Sequence, residues 1–498
     1  MSNSRRAGLL AAVFSAGIFA IAAGAHAETL ADAASVTYET NPTLQAQRAS
    51  QRALDETYVQ AQSGLGPTVS ASASVSTTNN SPESVLSPNP INSSSVALTI
   101  SQPLYTGGRT TASMSAAEAD VLAGREGLRR VEQTVLQSVI QAYVDVRRDQ
   151  QRLSIANENV SVLERQLREA RARFQVGEIT RTDVAQSEAR LAAAQASRSA
   201  AQAQLSISRA AYAVVVGQNP GTLAAEPPLS SLLPASIDDA FTLAERNNPQ
   251  VRAADYTEQG SAARLASTRA LTRPSVSARL SVGVAGGGPD GASPFADYST
   301  QISGSLAANV PIFTAGLTTS QIRAATERNN VDRIGIETAR RQVLQQVSIA
   351  WSQLLSARAQ LVSTEQQVRA ATIAFEGTRQ EAQVGLRTTL DVLNAEQELR
   401  NAQLALVNAK HDEYVASASV LAAVGALDIA SIVPNAPRYD PAANFDDVRR
   451  GFGYLPYQPA LEALDRAGGP EIQVRPAPSP APPTDQGDPG APQSTAAP

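Results

Sequence analysis

Few residues in this chain of 498 could do covalent chemistry. Cysteine is absent, which removes thiolate nucleophiles, thiolate metal sites, disulfides and a lipid-modified N-terminal cysteine together. Histidine occurs twice, at His26 and His411, and Lys410 is the single lysine. His26 falls in a leader that should be removed, and His411, between Lys410 and Asp412, reads as part of a solvated helix face and is given no role. No cluster of nucleophile, base and ligand remains for an enzyme, so no catalytic residue, metal or cofactor is expected. A net charge of -5 and a pI near 5.4 leave no basic footprint for nucleic acid. The motif that does repeat is electrostatic rather than covalent: QVGEITRTDV from Gln175 and QVGLRTTLDV from Gln383. Gly177 and Gly385 can take the left-handed conformation that ends a helix, and Thr180-x-x-Asp183 and Thr388-x-x-Asp391 then read as capping boxes opening the next one.

The elements that hold these turns are long helices. Hydrophobic residues make up 43% but aromatic ones only 4%, too poor in large side chains for several compact cores, and charged residues are 17% against roughly 25% in a typical domain. From about Arg109 to Phe174 an apolar residue stands at every seventh place: Val139, Val146, Leu153, Val160, Leu167, Phe174. Three residues on, Ala142, Ala156 and Ala170 let a neighbouring helix approach closely along a left-handed seam, with Asp149 as the misfit. Val347, Leu354, Leu361, Val368 and Phe375 repeat the pattern. A helix of this length needs a partner throughout, and the segments about 29–63 and 180–216, or 237–271 and 388–424, stacked end to end, match it.

The chain is internally duplicated at an offset of 207 to 208: Asn41-Pro42 recurs as Asn248-Pro249, QPLYTGG from Gln102 as VPIFTAG from Val310, and the two QVG turns correspond. Four stretches alternate with period two. Val69, Ala71, Ala73 and Val75 oppose Ser70, Ser72, Ser74 and Ser76. Val96, Leu98, Ile100 and Leu104 form the second apolar set, Val276, Ala278, Leu280, Val282 and Val284 the third, and Ile302, Leu306, Val310 and Ile312 the fourth. Each is long enough to cross a bilayer as a tilted strand, with one lipid-compatible face and one small polar face that includes Arg279 and suits a wet lumen. Four strands cannot close a membrane barrel, so several copies must share one.

Arg5 and Arg6, the apolar run Ala7 to Ala25 and the Ala25-His26-Ala27 cleavage site read as a signal peptide over 1–27, with the mature chain starting at Glu28. The domain boundaries follow as 28–217 for the first repeat, 218–236 for a linker, 237–427 for the second repeat, 428–466 for an equatorial belt with the linker, and 467–498 for a disordered Pro-rich tail.

The PLYTGG and PIFTAG strand-to-helix turns, the paired QVGxxxxxDV turns and the duplication together resemble the TolC family of outer-membrane exit ducts, over nearly all of residues 28 to 427. The resemblance implies an α+β membrane protein: a homotrimer whose 12-stranded transmembrane β-barrel continues into a coiled-coil helical barrel in the periplasm. It also implies a passive conduit in the outer membrane of a Gram-negative bacterium, docked to a periplasmic adaptor (membrane fusion protein) and an inner-membrane ABC or proton-driven transporter, for type I secretion or multidrug efflux. Val176, Gly177, Val384 and Gly385 would form the adaptor-docking tip. Asp391 matches a residue of an acidic constriction ring, Arg387 with Thr182 an inter-helix tether, and Asp183 the acceptor of a second tether. The sequence departs at Ala382, where a tyrosine donor is expected, and at Asn394, where a second ring acid is expected, so the gate should be less acidic and more loosely latched. A periplasmic coiled-coil adaptor or scaffold without a pore would share the heptads but has no use for four strands of membrane length.

Overall fold

The computed structural model describes residues 27–79, 91–288, 293–433, 438–451, 454–467, 469 and 474. The expected leader, the centres of both strand-connecting loops, Phe452 and nearly all of the Pro-rich tail lie outside the described residues.

Two short helices, α1 (Leu30–Thr40) and α2 (Pro42–Gln62), precede the strands β1 (Thr68–Thr78) and β2 (Ile91–Tyr105), the helix α3 (Arg109–Gln175) and the helix α4 (Arg181–Val216). The same order follows in α5 (Ile237–Asn247), α6 (Pro249–Arg269), β3 (Ser275–Gly288), β4 (Ser299–Asn309), α7 (Leu317–Gln383) and α8 (Thr389–Ala423). Among the described residues three short helices follow: α9 (Ile429–Ile432), α10 (Pro441–Arg449) and α11 (Gln458–Ala467). Where a single helix was expected over 29–63, the chain breaks at Asn41-Pro42. Pro42 cannot donate to the preceding turn, and the Asn41 side chain instead accepts from the Thr43 and Leu44 amides at 2.9 and 3.3 Å. Asn248 does the same for the Gln250 amide at 2.8 Å, ahead of Pro249.

Both α3 and α7 run for 67 residues, about 100 Å at 1.5 Å per residue. Each packs against its companions, α3 on α2 and α4, α7 on α6 and α8, and α3 also packs on α6 and α8, which joins the two halves. Val139, Val146, Val160 and Leu167 are buried in the seam, as are Val347 and Leu354. Phe174, the last heptad position, is instead 44% exposed. It lies one residue before the end of α3, next to the turn that leads into α4. Asp149 is buried in the seam as well, held by Arg148 through Nε and Nη2 at 2.9 and 3.2 Å.

The main core lies where α1, α3, α4 and α8 meet the linker, around Leu30, Tyr143, Tyr212 and Leu427. Glu28, the first residue after the expected cleavage site, is pinned there. Its amide donates to the Thr222 carbonyl at 2.8 Å, its carbonyl accepts from the Ala224 amide and the Tyr143 hydroxyl at 2.9 Å each, and its carboxylate accepts from the Tyr212 hydroxyl at 2.7 Å. Burial pushes the Tyr143 hydroxyl up to about 12. The segment expected as an equatorial belt over 428–466 does not stay at this level. Phe445 of α10 packs edge-on to Tyr58 of α2 with ring centres 5.2 Å apart, and α11 reaches β2 and the start of α3.

The strands form one antiparallel sheet in the order β1-β2-β3-β4. Its register aligns the apolar sets: Ala71 faces Leu98, Leu98 faces Val282 and Val282 faces Ile302. The adjacent row is Ser70, Thr99, Ser281 and Ser303, and Arg279 sits in a row with Thr68, Ser101 and Ser305. Side chains alternate across a strand, so these pairings separate an apolar face from a small polar one. Val310 and Ile312, expected in the fourth strand, lie beyond β4, because Pro311 has no amide to continue the ladder. No helix among the described residues is long and apolar enough to cross a membrane.

Candidate functional site

The two helical turns come together at one end of the helices. Gln166, Arg173 and Ile179 from the first and Arg379, Ala382 and Val392 from the second line a common cleft of about 70 Å³. Gly177 and Gly385 both adopt φ of +81°, where a side chain would be strained, and they end α3 and α7. Both expected capping boxes are formed. Asp183 accepts from the Thr180 amide and hydroxyl at 2.9 and 2.8 Å, and Asp391 from the Thr388 amide and hydroxyl at 3.0 and 2.8 Å. These bonds, made to the ionised form, hold both carboxyls below the usual aspartate range. Val176 and Val384 stand exposed at the apex, 74% and 71%.

Arg387 does not reach Thr182 within this chain. Its Nε donates to Glu381 at 2.8 Å across the Val384-Gly385 turn, a pairing of neighbours in sequence that costs little ordering. Asn394, where a second ring acid was expected, accepts from Arg190 of α4 at 3.2 Å and so ties α4 to α8. Two residues further along α8, Glu396 is 7% exposed, with one carboxylate oxygen lacking any hydrogen-bond partner. Burial pushes its carboxyl up to about 7 against weaker opposition from Gln166, Arg165 and Arg400. The sequence signal for it was the spacing Leu393, Glu396, Arg400, which puts the acid on the buried stripe of α8.

His411 is not on a solvated face. It lies between α8 and α3, its Nε2 2.8 Å from Asp145 Oδ1 and its Nδ1 2.8 Å from Asp412 Oδ1. Burial lowers its tendency to ionise, but the two carboxylates outweigh that, and its pKa is raised. Lys410 and Asp412 gave the surrounding sequence a polar look, while the partner acid lies 266 residues away in sequence.

At the opposite end of α3, Gly107 and Gly108 turn β2 into the helix with φ of +71° and +84°. A side chain at Gly107 would bring its Cβ to 2.7 Å from Arg273 Cβ, so the turn requires glycine. Gly108 supplies no side-chain cap, and the fully buried Asp465 of α11 takes that role. It accepts from the Thr106 amide at 2.6 Å, the Gly108 amide at 3.2 Å and the Thr111 amide at 3.3 Å. Sequence reasoning missed Asp465, and the uncapped Gly107-Gly108 turn was the one available hint. Arg279 is exposed on the polar face of the sheet.

The chain was compared with known proteins. The family described as "Outer membrane efflux protein" matches residues 33–218 and 241–426. The outer membrane efflux protein BepC of Brucella suis is 33% identical over 445 residues, covering 88% of this chain and 94% of BepC. The alkaline protease secretion protein AprF of Pseudomonas aeruginosa is 28% identical, covering 63% of this chain and 66% of AprF. A crystal structure of CusC superposes with a TM-score of 0.69 at 20% identity, covering 80% of this chain and 92% of CusC.

Proposed function

This chain belongs to the outer membrane efflux protein family, and from that premise we propose that three copies form the exit duct of a tripartite export system. It is an outer-membrane efflux or secretion channel of the TolC family in a Gram-negative bacterium, a transporter rather than an enzyme. The carrying observation for the finer reading is the sheet. One face is apolar, the other is small and polar, and among the described residues the outer edges of β1 and β4 have no partner strand. Unpaired strand edges are not tolerated in lipid, so further strands must come from other copies. Three copies of four strands give the twelve-stranded barrel proposed here, with Arg279 in its lumen and α3, α4, α7 and α8 continuing as the periplasmic tunnel.

In this reading the repeats span 28–217 and 237–427, and the duct is passive, with energy from an inner-membrane ABC or proton-driven pump joined through a periplasmic adaptor. The exposed Val176 and Val384, presented by Gly177 and Gly385, are the docking knobs. Asp391 narrows the mouth electrostatically, and Arg387 with Thr182 holds it shut, while Asp183 remains at the gate as an acceptor whose tyrosine donor is replaced by Ala382. The efflux protein BepC and the alkaline protease secretion protein AprF support both an efflux and a secretion reading of the cargo. Light scattering of the folded, membrane-extracted protein should give the mass of three chains, and planar bilayers should show a channel. A monomer mass would overturn the proposal.

A further inference from the structure

Where α3, α4 and α8 meet, on the order of 40 Å along α3 from the Gly177 turn, one chain leaves a half-enclosed cleft of about 390 Å³. Ala156, Ala200 and Ala201 leave it open where larger side chains would fill it, and Ile155 and Leu404 make its wall apolar. Its size is that of pockets that take a small organic ligand.

The charges at this cleft do not cancel. Asp149, 1% exposed, is already engaged by two nitrogens of Arg148 and approached by Gln204 at 3.5 Å. Arg152 Nη1 stays 3.8 Å from the same carboxylate, beyond hydrogen-bond range. Among the described residues Arg400 has no hydrogen-bond or ion-pair partner, and its Nε is buried without one. The acid one turn away on its own helix, Glu396, forms no ion pair with it and is pushed by burial toward its neutral form. A buried guanidinium nitrogen with no acceptor is costly, and a planar oxyanion is the group that matches its fork. The exposed large apolar residues of α4 and α7, among them Ile207, Val214, Ile349 and Leu355, do not line the cleft.

We propose that the cleft is a binding site for an amphipathic organic anion, its carboxylate, sulfonate or phosphate head on Arg152 and Arg400 and its hydrocarbon body against Ile155, Ala201 and Leu404. The site goes beyond the duct reading, because a passive conduit needs no fixed ligand, and it would stand if the oligomeric state were other than three.

The probe is naphthalene-2-sulfonate, titrated calorimetrically into the full-length protein in lipid nanodiscs. Saturable binding with one site per chain is expected, while inorganic sulfate and uncharged 2-naphthol should each bind at least about tenfold more weakly. Arg400→Gln should weaken the sulfonate by about tenfold or more, and Ala201→Leu, which fills the cleft and leaves both arginines in place, should abolish binding. Circular dichroism and oligomer mass show whether each variant is folded. If Arg400→Gln fails to fold, Ala201→Leu decides alone. No saturable binding to the wild type, or wild-type affinity in Ala201→Leu, overturns the proposal.

Discussion

Glu396 and His411 both lie on α8 against α3, and their ionisation acts on that seam in one direction. The Glu396 carboxyl is raised from 4.5 to about 7, so the folded chain holds a proton through a pH range in which the unfolded chain has lost it. Its contribution to stability is therefore complete below pH 4.5 and is lost as pH rises through about 7, on the order of 3 kcal/mol per chain. His411, facing Asp145, Arg148 and Gln141 of α3 and Asp412 of its own helix, also has a raised pKa. Its contribution is present below 6.5 and fades as pH passes its raised value. Glu396→Gln should accordingly raise the calorimetric melting temperature at pH 8 and leave it nearly unchanged at pH 4.5. An equal shift at both pH values would show that the carboxyl is not the titrating group. Neither titration was legible in the sequence. The spacing Leu393, Glu396, Arg400 marks the helix face of Glu396 but not what covers it, which includes Gln166 of α3.

At the scale of elements, the period-two stretches were legible because a strand's faces alternate residue by residue. Ile91 to Ser95 was not assigned to β2, since Asn92 to Ser95 breaks the alternation that the sheet still accommodates by pairing with Ala285 to Gly288. The faces themselves can be tested. Val282 pairs with Leu98 and Ile302, so Val282→Arg places a charge in the apolar row and should cost about 2–4 kcal/mol at mid-membrane, lowering the yield of assembled oligomer. Ser281→Arg, in the row of Thr99 and Ser303, should assemble normally, as Arg279 does two residues earlier. Equal yields would show that the assigned faces are wrong. The docking of α11 was not legible at all, because Asp465 and the turn it caps are more than 350 residues apart. Asp465→Ala leaves the buried amides of Thr106, Gly108 and Thr111 without their acceptor and should destabilise the strand-to-helix junction by about 3 kcal/mol or more, with faster proteolysis there. Unchanged proteolysis would show that water replaces the carboxylate.

For the whole molecule, the duplication and helix length were legible because both are properties of the chain alone, whereas the closing of a mouth belongs to several copies. The turns were readable as caps, and the capping boxes are formed. The partner of Arg387 was not readable, and within one chain it is Glu381. Two arrangements then compete for this guanidinium: the local pair with Glu381, and a tether to Thr182 made when copies assemble. If the tether holds the proposed duct shut, Arg387→Ala and Thr182→Ala should each raise single-channel conductance in a planar bilayer. Glu381→Gln should lower it, because it releases Arg387 to the tether. If the local pair is the whole role, Thr182→Ala should leave conductance unchanged, and Arg387→Ala should match Glu381→Gln. Asp391→Asn separates charge from latch. Three copies of a carboxylate held ionised by Thr388 would concentrate cations at a narrow mouth, so the amide should weaken cation selectivity and block by multivalent cations without opening the channel. Its cap should cost only about 1 kcal/mol. Unchanged selectivity in Asp391→Asn, together with unchanged conductance in Arg387→Ala, would leave the turns as helix caps and place the constriction elsewhere along the tunnel.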